Sequence, residues 1–480
     1  METKLNNKMK VIHVSVECYP VAKVGGLADV VGALPKYQRK LGIDASVVMP
    51  WYNKPYVQSH QFEKIAEGGF YQGSQYLTYT VFLHDEANLG FPLYLIKIPG
   101  LLDRPEVYEY EDESDQWIAF QHAFLHWIVN SNVRPDVINC HDHHTGLIPF
   151  FLKYGNDFRE LSTIKTLFTI HNGRYQGWMN WNKGILLPAF DTWRWGLMDW
   201  SGAINSLSSA VRCCDAYSTV SEGYLGELTE EATGLENLFI SEAYKAHGIV
   251  NGIDTDLWDP AIDPLISANY NKVNVVKGKK VNKDIFCDKN GLEKNAFLLT
   301  YIGRFAYEKG ADILSLFIDD FYTASDHKLN IFILGSGDVE IQQKIERVYE
   351  KYKPKVAVFF GYNEALAHEA YAASDFILMP SRVEPCGLNQ LYALKYGTIP
   401  IVRAIGGLKD TVVDIDQDGG YGFVFQDFNE ESVSHTIIRA LDYSSKQVNM
   451  NRIRKRAMSL DFSWDKSAKK YIDLYNQLLK

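Results

Sequence analysis

Arg304 and Lys309 stand five residues apart in Gly303-Arg304-Phe305-Ala306-Tyr307-Glu308-Lys309-Gly310, directly after an apolar run. A guanidinium fork and an ammonium point charge that leave one strand end together can neutralise a diphosphate. Taken alone the spacing is a weak signal, and a solvated basic turn accounts for it. A second group follows in Pro380-Ser381-Arg382-Val383-Glu384-Pro385-Cys386-Gly387-Leu388, where Glu384 precedes a proline and a glycine turn ahead of a helix. A carboxylate there can hydrogen-bond a polar ligand or balance developing positive charge. The plainer explanation is a surface glutamate near a helix N-terminus, which the helix dipole favours.

Two glycine pairs, Gly25-Gly26 after Lys23 and Gly406-Gly407 before Lys409, each join a strand-like run to a helix-like one. Glycine lets the backbone approach a ligand closely, and a helix N-terminus offers free N–H groups to an anion. One such turn is common; one in each half, beside cations, points to phosphate bound from both sides. The run His141-Asp142-His143-His144 suggests a metal cluster at first sight. Consecutive strand residues alternate faces and cannot all converge on one ion, so a polar role at a strand end is preferred. The tryptophans Trp178, Trp181, Trp193, Trp195 and Trp200 are densely placed. Exposed, they would stack on sugar faces, although core packing is the commoner use of any one of them.

These residues need elements to position them. Short apolar runs that read as buried strands recur at Val11–Glu17, Ala45–Pro50, Leu93–Ile98, Asp136–His141, Thr166–His171 and Ala216–Ser221. The rhythm restarts at Phe297–Gly303, Leu329–Gly335, Val356–Gly361, Asp375–Pro380, Ile399–Arg403 and Gly422–Phe425. Helical periodicity fills most of the gaps, as in Leu27 to Leu34. The alternation predicts an α/β chain with two parallel sheets covered by helices. Ligands of such sheets bind beyond the carboxyl ends of the strands, where most of the chemistry-bearing residues fall. The Asn251-Gly252-Ile253-Asp254 turn, ahead of a Pro- and Asn-containing stretch, predicts a boundary. The expected domains are residues 1–252 and 253–462, with a closing helix at 463–480 that crosses back to the first.

The chain has 480 residues, 46% hydrophobic and 22% charged, enough for a large core. A formal net charge of −10 without a long basic run argues against nucleic acid or an anionic membrane as partner. No 18-residue apolar run predicts a membrane span, and the N-terminus lacks the apolar core of a signal peptide. Six cysteines, none in a C-x-x-C pair, read as reduced packing residues and place the protein in the cytoplasm.

Taken in order, K-x-G-G-L-A-D at Lys23 to Asp29, H-D-x-H at His141 to His144, H-N-x-x-Y-Q-G at His171 to Gly177 and N-G-I-D-T-D-x-W-D-P at Asn251 to Pro260 resemble bacterial glycogen synthases and plant starch synthases. So do G-R-x-x-x-x-K-G, E-P-C-G-L-x-Q and G-G-L-x-D-T in the second half, and the likeness spans nearly the whole chain. It implies the GT-B architecture, two facing Rossmann-like domains with a cleft between them. It implies retaining transfer of glucose from ADP-glucose to the non-reducing end of an α-1,4-glucan, glycogen or a maltooligosaccharide, with no cofactor. Arg304 and Lys309 then match the pair on the distal phosphate of ADP, Glu384 the active-site glutamate, and His171 the histidine beside the glucose. Lys23, Gly25, Gly26, Asp29, Asp142 and Asn251 match positions near the phosphate and sugar, Tyr362 an aromatic against the adenine. Cys386, Gly387, Leu388, Gly406 and Gly407 match the remainder of the donor site. Tyr392 stands eight residues after Glu384, where many related transferases carry a second glutamate, and Arg174 adds a charge where the family is commonly apolar or small. No D-x-D element stands where a metal–diphosphate bridge would need it, so no metal is expected. Same-face attack is the preferred route to retention. The competing readings are another sugar-nucleotide enzyme of this fold, such as a sucrose synthase-like transferase or an epimerase, and a non-catalytic glucan-binding protein.

Overall fold

Val11, Ile12 and Val14 are apolar on both faces of their strand, as a strand covered on both sides must be, and β1 (Lys10–Val14) is buried along all but its first residue. The computed structural model describes residues 8–85 and 89–480. The chain divides into two compact units: one runs to Asn251 and takes up Trp464–Lys480, the other spans Gly252–Ser463.

In the first unit β1 is joined by β2 (Asp44–Pro50), β3 (Glu63–Gln72), β4 (Gln75–His84), β5 (Leu93–Lys97), β6 (Val137–His141) and β7 (Lys165–Ile170). Three short strands, β8 (Trp178–Met179), β9 (Asp199–Trp200) and β10 (Ala203–Asn205), form a sheet of their own, and β11 (Ala216–Thr219) and β12 (Ala246–Gly248) complete the main one. The main sheet runs β12-β11-β7-β6-β1-β2-β5-β4-β3. It is parallel from β12 to β5; β3 and β4 are an antiparallel extension. That extension is absent from the parallel rhythm of the sequence, although the alternating Tyr76-Leu77-Thr78-Tyr79-Thr80-Val81 has the composition of a strand. The order reverses between β1 and β6, so the loops after these two strands diverge and open a crevice at their carboxyl ends.

The second unit is a wholly parallel sheet of β13 (Phe297–Ile302), β14 (Leu329–Gly335), β15 (Val356–Phe360), β16 (Phe376–Met379), β17 (Ile399–Arg403) and β18 (Phe423–Phe425). Its order is β15-β14-β13-β16-β17-β18, with the reversal between β13 and β16. The strands match the expected positions to within three residues, the largest difference being the earlier end of β1. At β1 the cause is local: Ser15 Oγ donates to the Glu17 carbonyl at 2.8 Å and turns the chain out of the sheet. His171 and Pro380 likewise fall just past their strands.

The last helix, Trp464–Leu478, places Trp464, Ala468, Tyr471 and Tyr475 on one face at i, i+4, i+7 and i+11. They pack in the first unit with Val30, Leu34 and Tyr37 of the helix Gly26–Lys40. Ser467 Oγ donates to the Val250 carbonyl at 2.7 Å. Among the described residues no helix is long and apolar enough to cross a membrane.

Candidate functional site

The loops after β13 and β16 meet at the reversal point of the second sheet. Lys309 Nζ lies 2.7 Å from Glu384 Oε1 and 2.9 Å from Oε2. Ser381 Oγ donates to Oε2 at 2.9 Å, and Glu384 is only 6% exposed. A carboxylate so buried must be paired or neutralised, and both a cation and a hydroxyl pair it. The Glu384 carbonyl accepts from Gly407 N at 3.0 Å. A Cβ on Gly407 would stand 2.2 Å from the Cys386 carbonyl oxygen, so only glycine lets the two loops pass this closely. Gly387 adopts φ +73, and Gln390 Nε2 donates to the Cys386 and Gly387 carbonyls at 2.9 and 3.0 Å. Leu388 caps the helix Asn389–Lys395, and Gly406 begins the short helix Gly406–Thr411. Arg304 is turned to Glu308 rather than into the Lys309–Glu384 pair. Arg382 is fixed by both carboxylate oxygens of Asp312, at 2.6 and 2.8 Å, and lies between the rings of Tyr307 and Phe428. Tyr362, just beyond β15, is 72% exposed, with its hydroxyl 3.0 Å from Glu364.

In the first unit the residues group around the loops after β1, β6 and β7. Lys23 Nζ pairs with Asp29 Oδ1 at 2.7 Å. Glu17, which is not among the expected site residues, accepts from Val24 N at 2.6 Å, Gly25 N at 2.8 Å and the Tyr108 hydroxyl at 2.6 Å. Two amides of the glycine loop are thus held by a protein carboxylate, a change from the expectation that this stretch offers them to a ligand. The glycines themselves keep that expectation alive. A Cβ at Gly25 or Gly26 would meet nothing within 4 Å, and Gly25 has φ −137, so nothing in the protein requires glycine at either position.

Asp142 has φ +55, a left-handed conformation uncommon for a residue with a side chain. Its Oδ1 accepts from His171 N at 2.7 Å and Asn172 N at 3.4 Å. Burial raises its pKa to about 7 against those two amide bonds, with Glu17 nearby adding to the rise. His171 Nε2 lies 2.9 Å from His141 Nδ1, and burial lowers the His171 pKa to about 3. Asn251 Oδ1 is buried with no hydrogen-bond partner among the described residues. Among those residues no group of three or more His, Cys, Asp or Glu side chains is placed to hold a metal ion.

Three further sequence features find their places. Trp193 is 90% exposed, and Trp178 and Trp195 are about half so, which overturns core packing as their explanation. Trp181 and Trp200 instead donate from their indole nitrogens, to Asp199 and the Gly234 carbonyl. Arg174 points to Glu231 at 3.7 Å. Tyr392 stacks on the indole of Trp258 with ring centroids 3.9 Å apart, and His368 also stacks on that indole, at 3.7 Å.

Comparison with known proteins is consistent across both units. Residues 10–241 match the starch synthase catalytic domain family, and residues 282–457 match glycosyl transferases group 1. A glycogen synthase of Flavobacterium johnsoniae is 45% identical over 474 residues, covering 98% of this chain and 100% of the relative. One from Clostridium kluyveri is 37% identical over 487 residues, with 98% and 100% covered. The catalytic domain of starch synthase IV from Arabidopsis thaliana, solved bound to ADP and acarbose, superimposes with a TM-score of 0.87 at 30% identity, covering 98% of this chain and 99% of that one.

Proposed function

The chain belongs to the glycogen synthase family of glycosyltransferases, and we propose that it transfers glucose, with retention, from ADP-glucose to the non-reducing end of an α-1,4-glucan such as glycogen or a maltooligosaccharide. The observation that carries this reading to particular residues is the Lys309–Glu384 contact at the reversal point of the second sheet. A sugar-nucleotide donor develops negative charge on the departing phosphate and positive charge on the sugar ring as the bond between C1 and the phosphate oxygen breaks. A lysine and a carboxylate held side by side match those two charges.

In this reading Arg304 and Lys309 hold the distal phosphate of ADP. As the phosphate draws Lys309 toward it, the Glu384 carboxylate is left facing the ring of the transferred glucose, with Ser381 still donating to it. The acceptor hydroxyl attacks C1 from the face the phosphate leaves, and its proton passes to the departing phosphate oxygen. His171 and Asp142 orient the glucose, and Lys23, Asp29 and Asn251 serve the phosphate–sugar region together with Gly25 and Gly26. Tyr362 stacks on the adenine. Cys386, Gly387, Leu388, Gly406 and Gly407 shape the donor site. Six cysteines, all buried as free thiols, support a cytoplasmic setting.

The test is incorporation of labelled glucose into added glycogen, with ADP-glucose and UDP-glucose compared side by side. The expected result is glucan-dependent incorporation from ADP-glucose and a smaller rate from UDP-glucose. ADP-glucose turnover without polymer growth would remove the proposal.

A further inference from the structure

A run of hydrogen-bonded side chains crosses the first unit behind His171. His171 Nε2 lies 2.9 Å from His141 Nδ1, His141 Nε2 3.0 Å from His13 Nδ1, and His13 Nε2 2.8 Å from Gln38 Oε1. Gln38 Nε2 and Asn139 Nδ2 donate to the Tyr475 hydroxyl at 3.2 and 3.3 Å. His13 and His141 lie on the adjacent strands β1 and β6, and His171 just past β7, the next strand. Gln38 comes from the helix Gly26–Lys40 and Tyr475 from the helix Trp464–Leu478. His13, Gln38, Asn139, His141 and Tyr475 are fully buried. The direction of its hydrogen bonds is set by the tautomer of each histidine.

The direction follows from its far end. With the Gln38 amide nitrogen turned to Tyr475, its oxygen faces His13 Nε2, which must therefore carry a proton. Thr169 Oγ1 donates to Asn139 Oδ1 at 2.9 Å, which turns Asn139 Nδ2 toward Tyr475 and places it 3.4 Å from His13 Nδ1. His13 Nδ1 is then an acceptor, His141 donates to it from Nε2, and His141 Nδ1 accepts from His171 Nε2. His171 is left with an unprotonated Nδ1, for which the described residues record no protein partner.

We propose that Gln38, His13 and His141 are positioning residues that hold His171 as its Nε2–H tautomer, presenting Nδ1 as a hydrogen-bond acceptor to a hydroxyl of the bound sugar. The role toward sugar rests on the function proposed above; the tautomer does not. Burial keeps the relay neutral, lowering His13 to about 4 and His171 to about 3, with His141 also well below the usual histidine range. No excess proton is present near neutral pH to reverse its direction.

The experiment uses the full chain labelled with 15N-histidine, with His171 assigned by difference against His171→Gln. Two-bond 1H–15N correlation near pH 7.5 should show His171 with a protonated Nε2 and a bare Nδ1. An Nδ1–H tautomer, or an imidazolium, would overturn the relay. Gln38→Met keeps the length of the side chain and removes the acceptor. In a variant shown to be folded, it should leave His171 in mixed tautomers and lower kcat about tenfold, the scale of one lost hydrogen bond, with KM for glucan unchanged. An unchanged tautomer and kcat in that variant would also overturn it. The expected tautomer in a protein that fails to extend glucan would overturn the sugar-acceptor role alone, whereas the wrong tautomer in an active enzyme would leave the function standing and remove the relay.

Discussion

Lys309 Nζ touches both carboxylate oxygens of Glu384, at 2.7 and 2.9 Å, across the point where the strand order of the second sheet reverses. The two residues are 75 positions apart, carried by the loops after β13 and β16. Each charge neutralises the other. On the function proposed above, a diphosphate would compete for the lysine, and donor binding would change the charge that Glu384 presents.

Lys309→Ala is expected to weaken ADP binding about tenfold or more, the scale of a lost charge-assisted hydrogen bond. It also leaves the Glu384 carboxylate buried with Ser381 alone, which costs about 3 kcal/mol of stability, as removal of one partner from a buried ion pair does. Lys23→Ala should leave ADP affinity nearly unchanged and lower turnover, because Lys23 pairs with Asp29 in the other unit. Calorimetry with ADP on both variants decides, and equal losses of affinity would contradict this division.

Gly407→Ala should cost about 1–3 kcal/mol as overpacking and displace the Glu384 loop, because its Cβ would meet the Cys386 backbone at 2.2 Å. Gly25→Ala should fold with unchanged stability, since its Cβ meets nothing within 4 Å. Any fall in its donor affinity then reports a ligand that approaches the backbone. Thermal unfolding and ADP-glucose KM for the two variants separate these effects; a Gly25→Ala variant as unstable as Gly407→Ala would contradict the account.

Acidification should destabilise the first unit. Burial lowers His13 and His143 to about 4 and His122 and His171 to about 3. In the unfolded chain these groups titrate near 6.5, so the unfolded state binds more protons below that pH. Their contribution is present above 6.5 and is lost as pH falls toward 4 and 3, by about 1.4 kcal/mol per pH unit for each proton taken up. Asp142, raised to about 7, acts oppositely: its contribution is present at low pH and is lost as pH rises through 7. Four histidines outweigh one carboxylate, so Tm should fall between pH 6.5 and 5. Tryptophan fluorescence follows it, since every tryptophan but Trp258 lies in the first unit; a flat or rising Tm would contradict the balance.

Reductants and mild oxidants should leave Tm unchanged, because all six cysteines are free and buried. Non-reducing mass spectrometry should find six thiols in active protein, and a disulfide there would contradict the structure.

Much of the two sheets was legible because buried parallel strands are continuous apolar runs such as Val11 to Val14 and Phe297 to Ile302. Their polar ends announced the loops that carry Asp142, Arg304 and Glu384. What the sequence could not give was pairing across distance. Lys309 against Glu384, and Gln38 against Tyr475 at the other end of the chain, depend on which strands become neighbours. His13 and Gln38 look like ordinary residues of a strand and a helix. Glu17 had one signal, a charge immediately after a buried run, but only the folded loop shows it holding Val24 and Gly25. The antiparallel β3–β4 pair lay outside the parallel rhythm, and Tyr392 gained its reason only once Trp258 was beneath it.

Glu384→Gln, measured for turnover and ADP affinity on the same preparation, separates the proposed service of Glu384 to the transferred sugar from that of Lys309 to the phosphate. Glutamine keeps the shape, removes the charge and releases Lys309 for the phosphate. The expected result is a fall in kcat of roughly a hundredfold or more, the scale for loss of an electrostatic stabiliser, with ADP bound at least as tightly as before. Near-normal transfer of glucose to glycogen by the folded variant would contradict it.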